Sequence, residues 1–453
     1  MPRAPRSPRR PVLLAVAALA SFAAGSVATG SDVEDVAERT VVTVLPNGLT
    51  VLTLEDRSTP VVSFQMWVKV GSRDESWYTG LAHLFEHMMF KGSKRIAPEL
   101  HAQLVQARGG RLNAFTSRDY TVYFEDVTSE TLPLVIALEA ERVANLDISE
   151  KTLASERQVV LEERRLRSED NPNGRAMEAL MALTFKAHPY RRPVIGWRSD
   201  IEAATVEACR RFFDTYYAPN NIVISIVGDF DGGEALAHVR REFGRLEPAA
   251  EIPRNPTREP EQRGERRVSV HFDLRGPILM AAWHAPPTGH PDAEALDVAS
   301  QILSHGRSSR LYRRLVYEGQ QALYAEASYW ELLDAGVFYG VAGVRPDASI
   351  ERVEALFFRE IARLRDEPVS DAELEKGKRQ LEVMLVNGLV KAHAVASRIA
   401  RDTAAFGRIR PLAERLEAIR SVTVEDVQRV ARTYLVDEKR SVVQLLPPPG
   451  GER

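Results

Sequence analysis

The most informative stretch of the chain is GLAHLFEHMMF, residues 80–90. Its apolar residues recur with helical spacing, and on a helix His83 and His87 share one face with Glu86 beside them. Two imidazoles at this spacing can bind one zinc ion, and the adjacent carboxylate can take a proton from water. A helix with two structural histidines is the alternative. Because burying these three side chains without a partner is costly, the pattern favours a metal site.

A catalytic zinc needs a third protein ligand, and a second predicted helix at Leu153–Leu166 supplies candidates. At about 100° per residue, Glu156 and Glu163 fall on one stripe with Val159 and Val160, whereas Glu162 points away. A carboxylate on an apolar, core-facing stripe indicates a bound cation. Glu163 is therefore the preferred ligand, and Glu156 is a candidate to hold a histidine or Glu86 in place.

Further from the motif, the second half of the chain repeats features of the first. Thr205-Val206-Glu207 recurs as Thr423-Val424-Glu425, 218 residues later, and Trp67 recurs at nearly the same offset as Trp283. The stretch between the halves is rich in proline and charge, which is typical of a linker. We expect two homologous α/β domains in an α+β fold, at residues 38–247 and 267–447, joined by a linker at 248–266.

Composition excludes several other classes of protein. The 453 residues carry 60 Lys+Arg against 63 Asp+Glu, so there is no basic surplus for binding nucleic acid. The single cysteine, Cys209, rules out an internal disulfide and a cysteine-based zinc site. Any metal must be held by histidine and carboxylate side chains.

The N-terminus has the pattern of a signal peptide. Four arginines without an acid precede an apolar run from Val12 to Ala28, with small-residue cleavage options near Ala20 and Ala23. We therefore expect residues 1–30 to direct export to the periplasm and to be removed. An uncleaved membrane anchor is the alternative.

These motifs together resemble the pitrilysin and mitochondrial-processing-peptidase family of zinc metallopeptidases, in its bacterial half-length form. H-x-x-E-H is followed by ERQVVLEE (residues 156–163), and the likeness extends through GGRLNAFTS (109–117), HPY (188–190) and YAPNN (217–221). The resemblance covers nearly the whole mature chain.

The resemblance implies a mechanism and a fold. It implies one zinc on His83, His87 and Glu163, with Glu86 as general base and Glu156 as the second acid of the distal motif. It also implies two mostly antiparallel sheets covered by helices, in a clamshell. The run Leu112–Phe115 would then be an open edge, where Asn113, Ala114 and Phe115 bind an extended peptide as an added strand; an ordinary hairpin is the alternative.

The second half contains no H-x-x-E-H and is expected to bind substrate without a metal of its own. The family usually places an Arg and a Tyr seven residues apart here, to hold the substrate carbonyl. Tyr324 is the candidate tyrosine, but Val316 stands near the expected arginine and the spacing is one residue off. Either Arg313 or Arg314 substitutes, or a homologous second subunit supplies the pair.

The sequence therefore predicts an exported zinc metalloendopeptidase that hydrolyses extended or unfolded peptides as the catalytic subunit of a dimer. A heterodimer with a homologous subunit is favoured, and a homodimer is possible within the same scheme. The alternative is a non-catalytic scaffold or assembly subunit of the same family. Loss of the histidine or glutamate ligands would mark such a subunit, and all are present here.

Overall fold

The computed structural model describes residues 35–449, so the predicted signal peptide lies outside the described residues. The helices are α1 (Val36–Arg39), α2 (Leu81–Met88), α3 (Leu100–Gln106), α4 (Leu132–Asn145), α5 (Glu150–Arg164), α6 (Pro172–Thr184), α7 (Arg198–Ala203), α8 (Val206–Tyr216), α9 (Gly232–Phe243), α10 (Ala293–Ser304), α11 (Ile350–Asp366), α12 (Asp371–Asn387), α13 (Ala392–Phe406), α14 (Leu412–Ser421) and α15 (Val424–Tyr434). The strands are β1 (Val41–Val44), β2 (Thr50–Glu55), β3 (Val62–Val68), β4 (Arg111–Thr116), β5 (Thr121–Val127), β6 (Ile222–Gly228), β7 (Arg266–His271), β8 (Ile278–Ala285), β9 (Ala322–Trp330), β10 (Gly336–Val344) and β11 (Arg440–Leu446).

The first half of the chain forms a six-stranded sheet in the order β1-β2-β6-β3-β5-β4. Strands β1 and β2 form an antiparallel hairpin, with Gly48 at φ +82° in its turn. Only the β2–β6 pair is parallel. The sheet is therefore mostly antiparallel, and β4 is one of its two edges.

The second half forms a five-stranded sheet in the order β7-β11-β8-β10-β9. Strand for strand this matches β2-β6-β3-β5-β4, with the same single parallel pair, β7 with β11. The N-caps of α8 and α15, Thr205 and Thr423, also match across the halves. The predicted α+β fold of two similar, mostly antiparallel halves is confirmed.

The two halves are held together by an exchange of helices. Helix α13 of the second half packs on β3 and β6, where Ala396 and Ile399 share a buried cluster with Trp67. Reciprocally, α6 of the first half packs on β8 and β11, where Leu180 shares a cluster with Met280. Each sheet thus has one face covered by a helix from the other half of the chain, and residues 35–449 form one compact unit.

The stretch between α9 and β7 is bound along the first half, although it has no regular secondary structure. The carboxylate of Glu259 accepts hydrogen bonds from the backbone N–H groups of Lys186, Ala187 and His188 at 2.7–2.9 Å. Arg254 donates to Asn221 Oδ1 at 2.6 Å. Glu259 and Arg254 thus hold the predicted linker, residues 248–266, as a strap along the first half.

Within residues 35–449, no single helix is long and apolar enough to cross a bilayer. The pair α12 and α13 would pass by length and composition if joined, but they are bent by 107°.

Candidate metal centre

Helix α2 carries the H-x-x-E-H motif and begins at a constrained turn. Its N-cap, Gly80, has φ +90°, and a Cβ there would lie 2.5 Å from the carbonyl oxygen of Ile195. The buried carboxylate of Glu75 accepts hydrogen bonds from the N–H groups of Gly80 and Ala82, both at 2.9 Å. These bonds satisfy the free donors at the start of the helix. No sequence pattern pointed to Glu75, since its spacing from the helix matches no common capping motif.

Helix α5 brings Glu163 to the two histidines of α2. Oε2 of Glu163 lies 3.1 Å from Nε2 of His87 and 3.5 Å from Nε2 of His83. One ligand atom from each residue lies within 4.8 Å of the others, and the two imidazole rings are 4.9 Å apart. The three predicted ligands therefore converge on one point.

The donor atoms at this point suit a cation. Oε2 of Glu163, the oxygen that faces both histidines, is buried and has no hydrogen-bond partner within residues 35–449. Burial alone would raise the pKa of Glu163, but the adjacent imidazoles of His83 and His87 hold that pKa well below its usual range. Two imidazoles and a carboxylate are a donor set of catalytic zinc sites, which leave a position open for water.

Glu156 lies one pair of turns before Glu163 on the same face of α5. Its side chain is 1% exposed, and Oε2 is 3.7 Å from Nδ1 of His87. Oε1 accepts a hydrogen bond from Ser155 and lies 3.3 Å from Nζ of Lys91. Although burial favours the protonated acid, these partners lower the pKa of Glu156. An ionised Glu156 can orient His87 from the side opposite to Glu163.

Two neighbours of Glu163 have different environments. Glu162 points into solvent and pairs with Arg165 at 2.6 Å, in keeping with its place on the helix. Val159 does not lie in the core, although the predicted stripe includes it. It is 45% exposed because it lies at the edge of that stripe, and Val160 is the buried member.

A π-helical turn, Arg165–Glu169, follows α5 and adds a cation to the site. It places Nη1 of Arg167 2.7 Å from Oε1 of Glu163. No sequence pattern pointed to Arg167, since the extra residue of a π-turn changes which side chains share a face. Such turns often lie at functional sites.

A cavity of about 450 Å³ opens beside the histidines. Glu86 lines it and makes no hydrogen bond or ion pair within the described part of the chain. The edge strand β4 forms one wall through Asn113, Ala114, Phe115 and Thr116. The structure thus brings Glu86 and three of the four predicted substrate-binding residues to one cavity.

The second half supplies no Arg and Tyr pair to this cavity. The hydroxyl of Tyr324 donates to Asn173 at 3.2 Å, and Tyr324 lies outside the cavity lining. Arg313 pairs with Glu318 at 2.7 Å, and Arg314 lines a different cavity. Val316 packs against the core of the second half.

A second group of His101, Glu125 and Glu139 lies buried away from the cavity. Nε2 of His101 is 3.3 Å from Oε1 of Glu125. Arg142 forms ion pairs with both carboxylates, at 3.8 Å from Glu125, and occupies the position of a cation. This group is a buried charge network.

Two similar sheet-and-helix halves with an H-x-x-E-H helix and a carboxylate from a second helix define the inverted-motif class of zinc peptidases. Residues 50–197 match the model for insulinase, peptidase family M16, and residues 203–381 match that for the peptidase M16 inactive domain. The chain belongs to peptidase family M16, as the resemblance of its motifs predicts.

Relatives match nearly end to end. The chain is 31% identical to the zinc protease PqqE of Helicobacter pylori over 408 residues, 89% of this chain and 92% of that protein. It is 27% identical to the probable mitochondrial-processing peptidase subunit beta of Arabidopsis thaliana, over 91% of this chain and 79% of that protein. The crystal structure of a protease from Helicobacter pylori matches with a TM-score of 0.87 at 30% identity, covering 90% of this chain and 99% of that one.

Proposed function

We propose that this chain is an exported zinc endopeptidase that hydrolyses extended or unfolded peptides. The observation that carries the proposal is the convergence of His83, His87 and Glu163 beside a cavity that His83, Glu86 and an open sheet edge line. Relatives named zinc protease support the metal and the reaction.

The residues have separate roles in the proposed reaction. A zinc ion held by His83, His87 and Glu163 would polarise the substrate carbonyl and acidify a water molecule. Glu86 accepts the proton of the attacking water and passes it to the leaving amine. Glu156 keeps His87 oriented, and Arg167 engages Oε1 of Glu163 so that Oε2 faces the histidines.

The substrate is proposed to bind as an added strand along β4. This strand pairs with β5 on one side and is an edge on the other, so its outward N–H and C=O groups are free for a peptide backbone. Backbone recognition of this kind needs an extended peptide, which a folded protein does not offer. Alternate side chains of β4, such as Asn113 and Phe115, share one face of the strand and meet side chains of the substrate.

We propose further that the active form is a dimer with a homologous subunit. Val316 packs against the core, and Tyr324 and the two candidate arginines lie outside the cavity, so the carbonyl of the substrate lacks the Arg and Tyr pair expected from the family. A second M16 chain would supply it. A relative named as a peptidase subunit supports assembly in the family, and a homodimer remains the alternative arrangement. A purely non-catalytic scaffold role is disfavoured by the complete ligand set.

Export to the periplasm is proposed from the basic and apolar pattern of residues 1–30. Fractionation of the native host followed by N-terminal sequencing tests it. A mature N-terminus between residues 18 and 30 in the periplasmic fraction supports export, and an intact Met1 in the cytoplasm refutes it.

The peptidase proposal is tested with the purified chain, alone and with candidate partner subunits, on extended peptides that carry a fluorophore and quencher. A chelator should abolish cleavage, and stoichiometric zinc should restore it. Absence of cleavage by the zinc-loaded protein with every homologous partner of the same host would refute the catalytic proposal and favour the scaffold role.

A further inference from the structure

The cavity beside the metal centre contains a buried arginine that the reaction does not use. Arg118 lies in the turn between β4 and β5, lines the cavity and is 8% exposed. Within residues 35–449, no carboxylate oxygen lies within 4.0 Å of its guanidinium. Burying a charge without a partner of opposite sign is costly, so the position calls for an anion from outside the chain.

The surroundings of Arg118 hold its guanidinium in place and offset its charge only in part, since the carboxylate of the adjacent Asp119 pairs with Arg73 at 3.4 Å. The group lies over the ring of Trp330, 4.9 Å from its centroid, and Nε donates to the carbonyl oxygen of Tyr190 at 3.4 Å. Nη1 and Nη2 donate to no group within the described chain, and neither is sealed from the cavity. The two end nitrogens therefore form a free fork of the geometry that binds a carboxylate through two hydrogen bonds.

The other charged groups of the cavity also favour an anion. Arg191 and Arg192 line it and likewise have no carboxylate oxygen within 4.0 Å in the described part of the chain. Of the two glutamates in the lining, Glu178 pairs with Arg164 at 3.0 Å, which leaves Glu86. Burial lowers the pKa of Arg118 to about 10, so the guanidinium is still charged at neutral pH.

We propose that Arg118 is a specificity residue that binds a carboxylate of the peptide substrate, either an acidic side chain near the cleaved bond or the free C-terminus. The inference rests on the proposed peptidase function and names the class of peptide that this site prefers. The backbone of the peptide lies on β4, and Arg118 follows directly at the end of that strand. A carboxylate-bearing residue of the substrate can reach the fork from there.

The test compares matched peptides with the zinc-loaded enzyme, including its partner subunit where cleavage requires one. One set places a single Glu or Gln at each position around the cleaved bond, and a second pair ends in a free carboxylate or an amide. The wild type should cleave at least one carboxylate peptide with kcat/KM about tenfold or more above its neutral match, since charged hydrogen bonds are strong. Faster cleavage of a Glu peptide than of its Gln match would show that Arg118 binds an acidic side chain. A difference seen only between the free carboxylate and the amide would show that Arg118 binds the C-terminus.

The variant Arg118→Gln should lose this preference and keep cleavage of the neutral peptides within about threefold, with unchanged zinc content. Arg263→Gln removes an 85% exposed arginine of the strap and should keep the preference. Should Arg118→Gln fold poorly, Arg118→Lys keeps the charge without the fork and should reduce the preference. Equal cleavage of all matched pairs by the wild type would overturn the inference while leaving the peptidase function intact. Cleavage of no peptide would overturn both.

Discussion

Oε1 of Glu163 lies 2.7 Å from Nη1 of Arg167, an ion pair within one turn of the chain. The two oxygens of Glu163 therefore have different partners: Oε1 pairs with Arg167, and Oε2 faces the two histidines of α2. A carboxylate held in this way offers a single oxygen to a metal ion. The strong lowering of the pKa of Glu163 keeps that oxygen ionised.

The first prediction concerns the metal ligands. Glu163→Gln should lose zinc on dialysis and lose activity with it, because an amide oxygen is a far weaker zinc donor than a carboxylate. Glu162→Gln, one residue earlier but in solvent, should keep one zinc per chain. Metal content by atomic absorption checks both. Stoichiometric zinc in Glu163→Gln, with none in Glu162→Gln, would reverse the assignment.

The second prediction separates chemistry from metal binding. Glu86 lines the cavity and has no partner in the described chain, so Glu86→Gln should keep zinc and the thermal unfolding midpoint. Turnover should fall by about 10²–10⁴-fold, the range for loss of a general base. Steady-state kinetics with peptide binding measured in parallel checks this, and a variant with near-normal turnover would remove Glu86 from the mechanism.

The third prediction tests Glu156 as a positioning residue. With Oε2 3.7 Å from Nδ1 of His87, the carboxylate favours the ring orientation and basicity that a metal ligand needs. Glu156→Gln should weaken zinc affinity by about 10–100-fold. Glu150→Gln changes an exposed carboxylate on the same helix and is the matched control. Equal zinc affinity in Glu156→Gln and wild type, by competition with a chelator, would assign Glu156 a purely structural role.

Much of the site could be predicted from the sequence because its residues lie on regular helices. The spacing of His83 and His87 and the stripe holding Glu163 follow from helical periodicity alone. Glu75 and Arg167 could not be found in this way. Glu75 reaches α2 from a preceding turn, and Arg167 depends on a π-turn, so neither position follows from a fixed repeat.

The fold, too, could be predicted from the sequence only in part. The alternation around the turn Pro46-Asn47-Gly48 predicts the β1–β2 hairpin, and the apolar run Val61–Val70 predicts the central strand β3. The repeat predicts two similar domains, and the two sheets match. The exchange of α6 and α13 was not predicted. The sequence of an amphipathic helix predicts that one of its faces is buried, but it does not predict which sheet covers that face.

The fourth prediction concerns pH and the buried network around Glu139. Burial, opposed by Arg142 and aided by Glu125, raises the pKa of Glu139 from 4.5 to about 8. The folded state then binds more protons than the unfolded state between these values, so stability should fall as pH rises through this window. Burial lowers the pKa of His101 from 6.5 to about 3. Below pH 6.5 the unfolded state therefore binds a proton that the folded state does not, and the free energy of unfolding falls as the pH is lowered. Above pH 6.5 His101 is neutral in both states and does not change the stability.

Burial also raises the pKa of Glu125, so the loss of stability between about pH 6.5 and 8 should come from these two carboxylates, and Glu139 is the one whose pKa reaches about 8. Glu139→Gln mimics the protonated acid and should flatten the loss of stability by up to about 1.4 kcal/mol per pH unit. Glu130→Gln, an exposed residue beside α4, should keep the wild-type slope. Urea unfolding at several pH values checks it, and parallel curves for wild type and Glu139→Gln would contradict the prediction.

The last prediction concerns the partner. A preformed oxyanion donor lowers the barrier by about 2.7–4 kcal/mol, and within residues 35–449 no Arg and Tyr pair from the second half reaches the cavity. The purified chain should be a weak peptidase by itself. A homologous subunit that lacks H-x-x-E-H but carries an Arg and a Tyr about seven apart should activate it.

Activation should raise kcat more than it lowers KM, because the added donors act on the transition state. Replacing the partner's Arg and Tyr by Ala and Phe should abolish activation without preventing assembly, which sedimentation velocity can follow. Full activity from the isolated monomer would contradict the requirement for a partner. In that case Tyr324 and either Arg313 or Arg314 would have to move into the cavity when substrate binds. Tyr324→Phe combined with Arg313→Ala or Arg314→Ala should then abolish turnover.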